Sequence, residues 1–245
     1  MRCGVAVTIP PAGQAPGKGP AVAAMFDRIA PRYDRLNRLL SLGVDVGWRR
    51  EAVLEALADG PERVLDVATG TADLALMLKR ARPQADVIGV DFAEAMLAAG
   101  RAKALRRGLS VRLECADALA LPFEDASFDA LTVAYGLRNF ADVPRGLAEM
   151  RRVLRRGGRL VVLEFPPPPA NLAGRALRWY GRSVMPTIGA LISGDRSAYT
   201  YLPASTEAFL APAELSSALA LAGFAQVRHR LQSFGVSALH VGVAA

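Results

Sequence analysis

Apolar positions fall into two regimes along the chain. Residues 21–58 carry them at helical spacing: Met25, Phe26, Ile29 and Tyr33, then Leu36, Leu39 and Leu40, then Trp48, Val53, Leu54 and Leu57. From residue 62 onward, short apolar runs alternate with amphipathic stretches: Arg63–Val67 then 73–81, Asp86–Asp91 then 94–107, Val111–Ala116, Phe128–Tyr135 then 143–154, and Arg159–Phe165. Such alternation predicts βαβ units and a parallel sheet covered on both faces. The unbroken run Leu160-Val161-Val162-Leu163 fits a strand with no solvent side. Prolines at 166–169 end that fifth strand, residues 171–222 read as helices and loops, and Phe224–Arg230 and Val236–Val243 predict two closing strands. No internal repeat and no linker interrupts this pattern. The expectation is a flexible tail over 1–20 and one α/β domain over 21–245. Helices at 21–58 and the 171–210 part of a helical, substrate-side insertion over 171–222 are expected to pack over one edge of the sheet.

The composition is globular, with 52% hydrophobic and 22% charged residues in 245. A chain of this length buries a sizeable core without staples. Cys3 and Cys115 are too far apart to indicate a disulfide framework or a zinc site, and His229 and His240 are the only histidines, so no metal is expected. The net charge is +7. Within 151–182, eight arginines stand against Glu164 alone. That excess fits a solvated face, a nucleic-acid surface or an anionic lipid surface. No segment reaches the ~18–20 apolar residues needed to span a bilayer. The N-terminus has no apolar core of signal-peptide length before its prolines, so a cytoplasmic location is expected.

In an open parallel sheet, ligands bind beyond the carboxyl ends of the strands. Strand one runs into Asp66-Val67-Ala68-Thr69-Gly70-Thr71-Ala72-Asp73, a small-residue turn that lets backbone approach a ligand ahead of a helix N-terminus. Strand two ends at Asp91, whose carboxylate suits a pair of ribose hydroxyls. Strand three ends in Ala116-Asp117-Ala118, where a carboxylate and a backbone N–H can meet an adenine edge. Each alone reads equally as a turn or cap. Together, at the ends of successive strands, they describe a nucleoside site.

At these positions the span from about Met25 to Gly242 resembles the class I S-adenosylmethionine-dependent methyltransferases, and within them the menaquinone/ubiquinone biosynthesis C-methyltransferases. The turn after strand one is generic to that superfamily. More particular are Phe26-Asp27, Tyr33-Asp34-Arg35-Leu36-Asn37, Ser41-Leu42-Gly43 and Trp48-Arg49. So are Gly136-Leu137-Arg138-Asn139 and the run Pro186, Ile188-Gly189, Tyr199 and Tyr201-Leu202, while Leu121-Pro122-Phe123, Ser127-Phe128-Asp129, Arg152-Val153-Leu154, Gly157-Gly158-Arg159-Leu160 and Leu163-Glu164-Phe165 also carry the resemblance. The resemblance implies a Rossmann-like, seven-stranded, mostly parallel sheet with helices on both faces and an antiparallel last strand. It implies that Thr71, Asp91, Asp117 and Ala118 bind S-adenosylmethionine, with Asp66 and Gly70 supporting the methionine end and Tyr33 serving as part of a lid. Ala72, where many members have glycine, and Ala134, where some ubiquinone-type members have serine, lean toward the menaquinone branch.

The implied reaction is C-methylation of a prenylated quinol, demethylmenaquinol first and a 2-polyprenyl-6-methoxy-1,4-benzoquinol second. A sulfonium methyl is already activated, so such a site must align a nucleophile and exclude water. Arg138 and Asn139, just after strand four, are the expected catalytic and substrate-binding residues, Arg138 stabilising a phenolate. The competing reading is a structural arginine paired with Asp142. Tyr199 and Tyr201 are expected to line a substrate wall, the alternative being that they anchor the insertion. Trp48 is expected to pack, His240 to be structural and His229 to lie on the surface. Asp117 or a water is left as proton acceptor. In 171–185, Arg175, Arg178 and Arg182 share one helical face, opposite Ala173, Leu177, Tyr180 and Val184, which fits peripheral membrane contact or packing on the protein's own core. A homodimer stays open. Nucleic-acid methylation is disfavoured, because no Pro-Pro-aromatic loop follows strand four and no aromatics interleave the arginines. A nicotinamide dehydrogenase is disfavoured by the missing third glycine.

Overall fold

A computed structural model describes residues 18–187 and 196–245. Seven strands form one sheet: β1 (Arg63–Val67), β2 (Asp86–Asp91), β3 (Arg112–Cys115), β4 (Phe128–Ala134), β5 (Leu154–Glu164), β6 (Phe224–Gln232) and β7 (Ser237–Ala244). Their order across the sheet is β3-β2-β1-β4-β5-β7-β6. The first five run parallel, and β7 is antiparallel to both β5 and β6. The chain reverses its direction of travel across the sheet between β1 and β4, which opens a crevice at their carboxyl ends.

The apolar runs become strands because alternate residues feed two cores. Val64, Val87, Val161 and Leu163 pack on one face. Leu65, Val67, Ile88, Val90, Leu131, Val133, Leu160 and Val162 pack on the other. The helices are α1 (Lys18–Leu40), α2 (Asp45–Leu57), α3 (Asp73–Ala81), α4 (Glu94–Arg106), α5 (Val143–Val153), α6 (Leu172–Trp179), α7 (Arg196–Glu207) and α8 (Pro212–Leu221). A π-helical turn, Tyr180–Val184, continues α6.

Three features depart from the sequence expectation. First, α1 begins at Lys18, inside the span read as a tail, whose residues 1–17 lie outside the described residues. Second, the N-terminal helices do not share one edge of the sheet. Trp48, Ala52, Val53 and Ala56 of α2 join the core on one sheet face. Met25, Ile29 and Leu36 of α1 pack instead with Ala93 and Met96 at the start of α4, and with Tyr201 of α7. Asp27 fastens the crossing by accepting the Ala95 N–H at 3.0 Å. Third, β5 starts at Leu154, not Arg159. The intervening Arg-Arg-Gly-Gly reads as a turn, but Gly157 takes φ +76° within a bulge opposite β4 and the strand continues through it.

Candidate functional site

Between β1 and α3 the backbone zigzags through left-handed conformations at Ala68 (φ 53°), Gly70 (φ 56°) and Ala72 (φ 64°). Only glycine adopts this region without strain, so the two alanines mark a loop held by its surroundings. Asp66 supplies the hold. Its carboxylate accepts the Thr69 hydroxyl at 2.6 Å and the Thr132 hydroxyl at 2.5 Å. Burial pushes the Asp66 carboxyl up to about 6, against the pull of those two hydrogen bonds. Gly136 lets the loop after β4 close on the same turn, because a Cβ there would stand 2.4 Å from the Ala68 methyl.

Two hollows open at these strand ends. The smaller, about 280 Å³, is bordered by Tyr33, Gly70, Asp91, Asp117, Ala118 and Asn139, among others. Asp91 accepts the Gly70 N–H at 2.7 Å and the Ala93 N–H at 2.9 Å. The Phe92 N–H also bears on this carboxylate, and of its about four acceptor positions at least one remains for a hydroxyl donor. Burial raises the Asp91 carboxyl above its usual range. Asp117 accepts the Leu119 N–H at 2.9 Å, which fixes the turn that exposes Ala118. Carboxylates on one wall, with Met96, Ala118 and Leu119 available for a flat apolar ring, fit an adenosyl group.

The larger cavity, about 640 Å³, is mostly apolar and lies under α1, α2, α6 and α7. Phe26, Tyr33 and Tyr135 border both hollows and form the junction between them. Tyr135 stacks on Phe165 at 4.3 Å, and the Arg49 guanidinium lies over its ring, 5.5 Å from the centre. Burial raises the hydroxyl of Tyr33 above its usual range.

Arg138 borders the larger cavity and is 5% exposed. Its Nη1 donates to Glu164 Oε1 at 2.6 Å and to the Tyr135 carbonyl at 2.5 Å, and its Nε donates to Ser205 Oγ at 3.3 Å. The alternative pairing with Asp142 does not occur, because Asp142 caps α5 by accepting the Arg145 N–H. Asn139, the next residue, faces the smaller hollow and accepts the Tyr201 hydroxyl at 3.0 Å. Arg138 and Asn139 thus serve opposite sides of the junction.

Of the residues expected at the site, Tyr33, Gly70, Asp91, Asp117, Ala118 and Asn139 border the smaller hollow, and Arg138, Tyr201 and again Tyr33 the larger. Asp66 and Thr71 border neither. The Thr71 hydroxyl donates to Asp34 at 2.5 Å and accepts from Lys103 at 3.0 Å, so its side chain is held by α1 and α4. Ile188, Gly189 and the Tyr199 side chain lie outside the described residues. Trp48 packs edge-on against Phe165, and His240 bonds the Pro212 carbonyl, away from the site. Arg49 and Glu164 stand in segments that carry the family resemblance, but neither they nor Tyr135 had a role assigned from the sequence. Glu164 and Tyr135 were findable by the end-of-strand rule, since one closes β5 and the other directly follows β4. Arg49 had no such signal. The basic face of 171–185 is largely paired: Arg178 donates to the carbonyls of Pro168 and Pro169, and Arg182 bridges Glu207 at 2.5 Å. No helix among the described residues is long and apolar enough to cross a membrane, and none of them form a cluster of three metal-ligating side chains.

The sequence model of the ubiE/COQ5 methyltransferase family matches residues 15–244. The demethylmenaquinone methyltransferase of Thermus thermophilus is 60% identical over 218 residues, covering 89% of this chain and 99% of that protein. The demethylmenaquinone methyltransferase of Deinococcus radiodurans is 56% identical over 233 residues, covering 95% and 96%. Among solved structures, an S-adenosylmethionine-dependent methyltransferase of Thermotoga maritima superposes with a TM-score of 0.62 at 20% identity, covering 91% of this chain and 99% of that one.

Proposed function

The chain belongs to the ubiE/COQ5 methyltransferase family, and from that membership we propose that it methylates a ring carbon of a prenylated quinol, demethylmenaquinol before any benzoquinol. Its sheet order and flanking helices are those of the class I methyltransferases. S-adenosylmethionine supplies an activated methyl; the protein supplies position, dryness and proton handling. One observation carries the reading: a hollow with ribose-type carboxylates meets a large apolar cavity at Tyr33 and Tyr135, with Arg138 buried on the cavity side.

Asp91 holds the ribose hydroxyls, and Asp117 with the Ala118 N–H meets the adenine edge. Gly70 brings backbone to the methionine end while Asp66 stiffens the loop beneath it. The quinol head enters from the larger cavity. Arg138 donates to the oxygen from which the phenolic proton leaves, so electron density moves onto the ring carbon. That carbon would take the methyl as the sulfonium S–CH3 bond breaks, leaving S-adenosylhomocysteine, and its own proton would then pass to water as the ring regains aromaticity. Asp45 and Glu207, carboxylates on the cavity wall, are already tied to Arg49 and Arg182. A water held at Arg138 is therefore the proposed proton acceptor. Asn139, steadied by Tyr201, meets the second ring oxygen from the cofactor side of the junction.

The two relatives' names favour the naphthoquinol head. Incubation with methyl-labelled S-adenosylmethionine and a panel of short-tailed demethylmenaquinols and methoxy-benzoquinols tests this. Label is expected in the naphthoquinols. Label confined to the benzoquinols overturns the head group, and label in no quinol overturns the reaction.

A further inference from the structure

The mouth of the larger cavity is built from side chains the fold leaves in water. Leu39, Leu42 and Val44, at the turn from α1 to α2, border the cavity and are exposed, Leu42 at 85%. Ser233 and Gly235, between β6 and β7, also border it, and Phe234 between them is 97% exposed. Ser233 and Phe234 adopt positive φ of 46° and 57°, conformations unfavourable for residues with side chains. The turn is nevertheless fixed, since Trp48 Nε1 donates to Ser233 Oγ at 2.9 Å. A strained, anchored backbone holds a phenylalanine outward beside an apolar opening.

Charge lies next to this rim. Arg28, Arg32, Arg35 and Arg38 are exposed along α1, and their helical face runs on into Leu39 and Leu42. On that helix Asp27 is exposed, and Asp34, its side chain 40% exposed, has its charge matched by Lys103 at 2.6 Å. On α6, Arg175 is exposed beside Trp179, itself 65% exposed. Arginines set behind apolar tips match anionic headgroups above an acyl layer.

We propose that this rim, Leu39–Val44 with Phe234, docks the protein on an anionic lipid bilayer. Docking there sets the cavity mouth against the acyl region, so that a prenyl tail passes into the cavity without crossing water. The choice of lipid as partner rests on the quinol reading; the rim's exposure and strain do not. The surface takes only Arg175 from the 171–185 basic face and is centred instead on the α1–α2 turn and Phe234.

The full chain, without cofactor or quinol, is mixed with phosphatidylcholine vesicles with or without phosphatidylglycerol and co-sedimented. Binding to the anionic vesicles is expected, falling as salt rises. Phe234→Asn removes the ring while tolerating the left-handed backbone, and is expected to weaken binding about tenfold. Arg35→Glu is expected to weaken it about fivefold or more. Both variants should turn over a short-tailed soluble quinol within about twofold of the parent. No binding, equal binding to neutral vesicles, or binding unchanged by Phe234→Asn overturns the proposal. So does a dimer that Phe234→Asn splits, which makes the rim an interface between copies. Vesicle binding without methyl transfer sinks the quinol reading alone; transfer to the short-tailed quinol without vesicle binding sinks the docking alone.

Discussion

Arg138 and Glu164 form a buried ion pair of 2.6 Å although they stand 26 residues apart. Glu164 also accepts the backbone N–H groups of Arg138 and Phe165, so the end of β5 fixes the turn after β4 as well as its guanidinium. The cation at the cavity wall is therefore aimed before any ligand arrives, which is the condition for electrostatic stabilisation without reorganisation.

Removing Arg138 should show both roles. Arg138→Ala strands the Glu164 charge, and breaking a buried pair costs about 3–5 kcal/mol. Turnover is expected to fall roughly 100-fold or more, with S-adenosylhomocysteine affinity nearly unchanged. The double variant Arg138→Met, Glu164→Met should recover much of the stability and none of the turnover. Thermal melts and labelled-methyl rates check this.

Asp91→Ala should act on the cofactor instead. Losing two buried hydrogen bonds to a carboxylate costs roughly 2–4 kcal/mol. Calorimetric titration with S-adenosylhomocysteine is expected to show a correspondingly weaker affinity. An unchanged affinity removes Asp91 from the site.

Thr71 is expected to act through α1. Lys103 joins Asp34 at 2.6 Å and Asp73 at 2.7 Å, and Thr71 bonds both Asp34 and Lys103. Thr71→Val and Asp34→Asn should each weaken cofactor binding, and their effects should not add in the double variant. Additive effects would mean that Thr71 touches the cofactor on its own account.

The strands and the end-of-strand carboxylates were legible because both follow local rules. Strands buried on both faces read as unbroken apolar runs, and ligands gather where such strands end. Partner choice was not legible. Nothing in spacing says that Arg138 takes Glu164 over Asp142, or that Thr71 turns to Asp34, because those choices depend on how the loop after β4 and helix α1 pack. The partners of Arg178 and Arg182 were hidden for the same reason: helical periodicity assigns a face, while Glu207 and two proline carbonyls, all outside that periodicity, engage those two side chains.

Two buried groups should tilt stability in opposite directions with pH. Burial pulls His240 from 6.5 down to about 4, so the fold keeps it neutral while the unfolded chain takes up its proton. Its contribution is full above 6.5 and is lost as pH falls toward 4. Asp66, raised from 3.8 to about 6, keeps in the fold a proton the unfolded chain releases. Its contribution is full below 3.8 and is lost as pH rises through 6. Each is worth about 3 kcal/mol. Urea unfolding at a series of pH values should show His240→Leu losing stability with rising pH more steeply than the parent. Asp66→Asn should show the opposite change, and His240→Leu should leave turnover intact.

The central claim is that the two hollows present a quinol ring carbon to an activated methyl. The most direct measurement is carbon-13 NMR of the product formed from carbon-13-methyl S-adenosylmethionine and a short-tailed demethylmenaquinol. The account predicts one labelled methyl at the chemical shift of an aryl methyl carbon, formed by the parent and nearly absent with Arg138→Ala. A labelled methoxy signal, or no labelled quinol although S-adenosylhomocysteine binds, would contradict it.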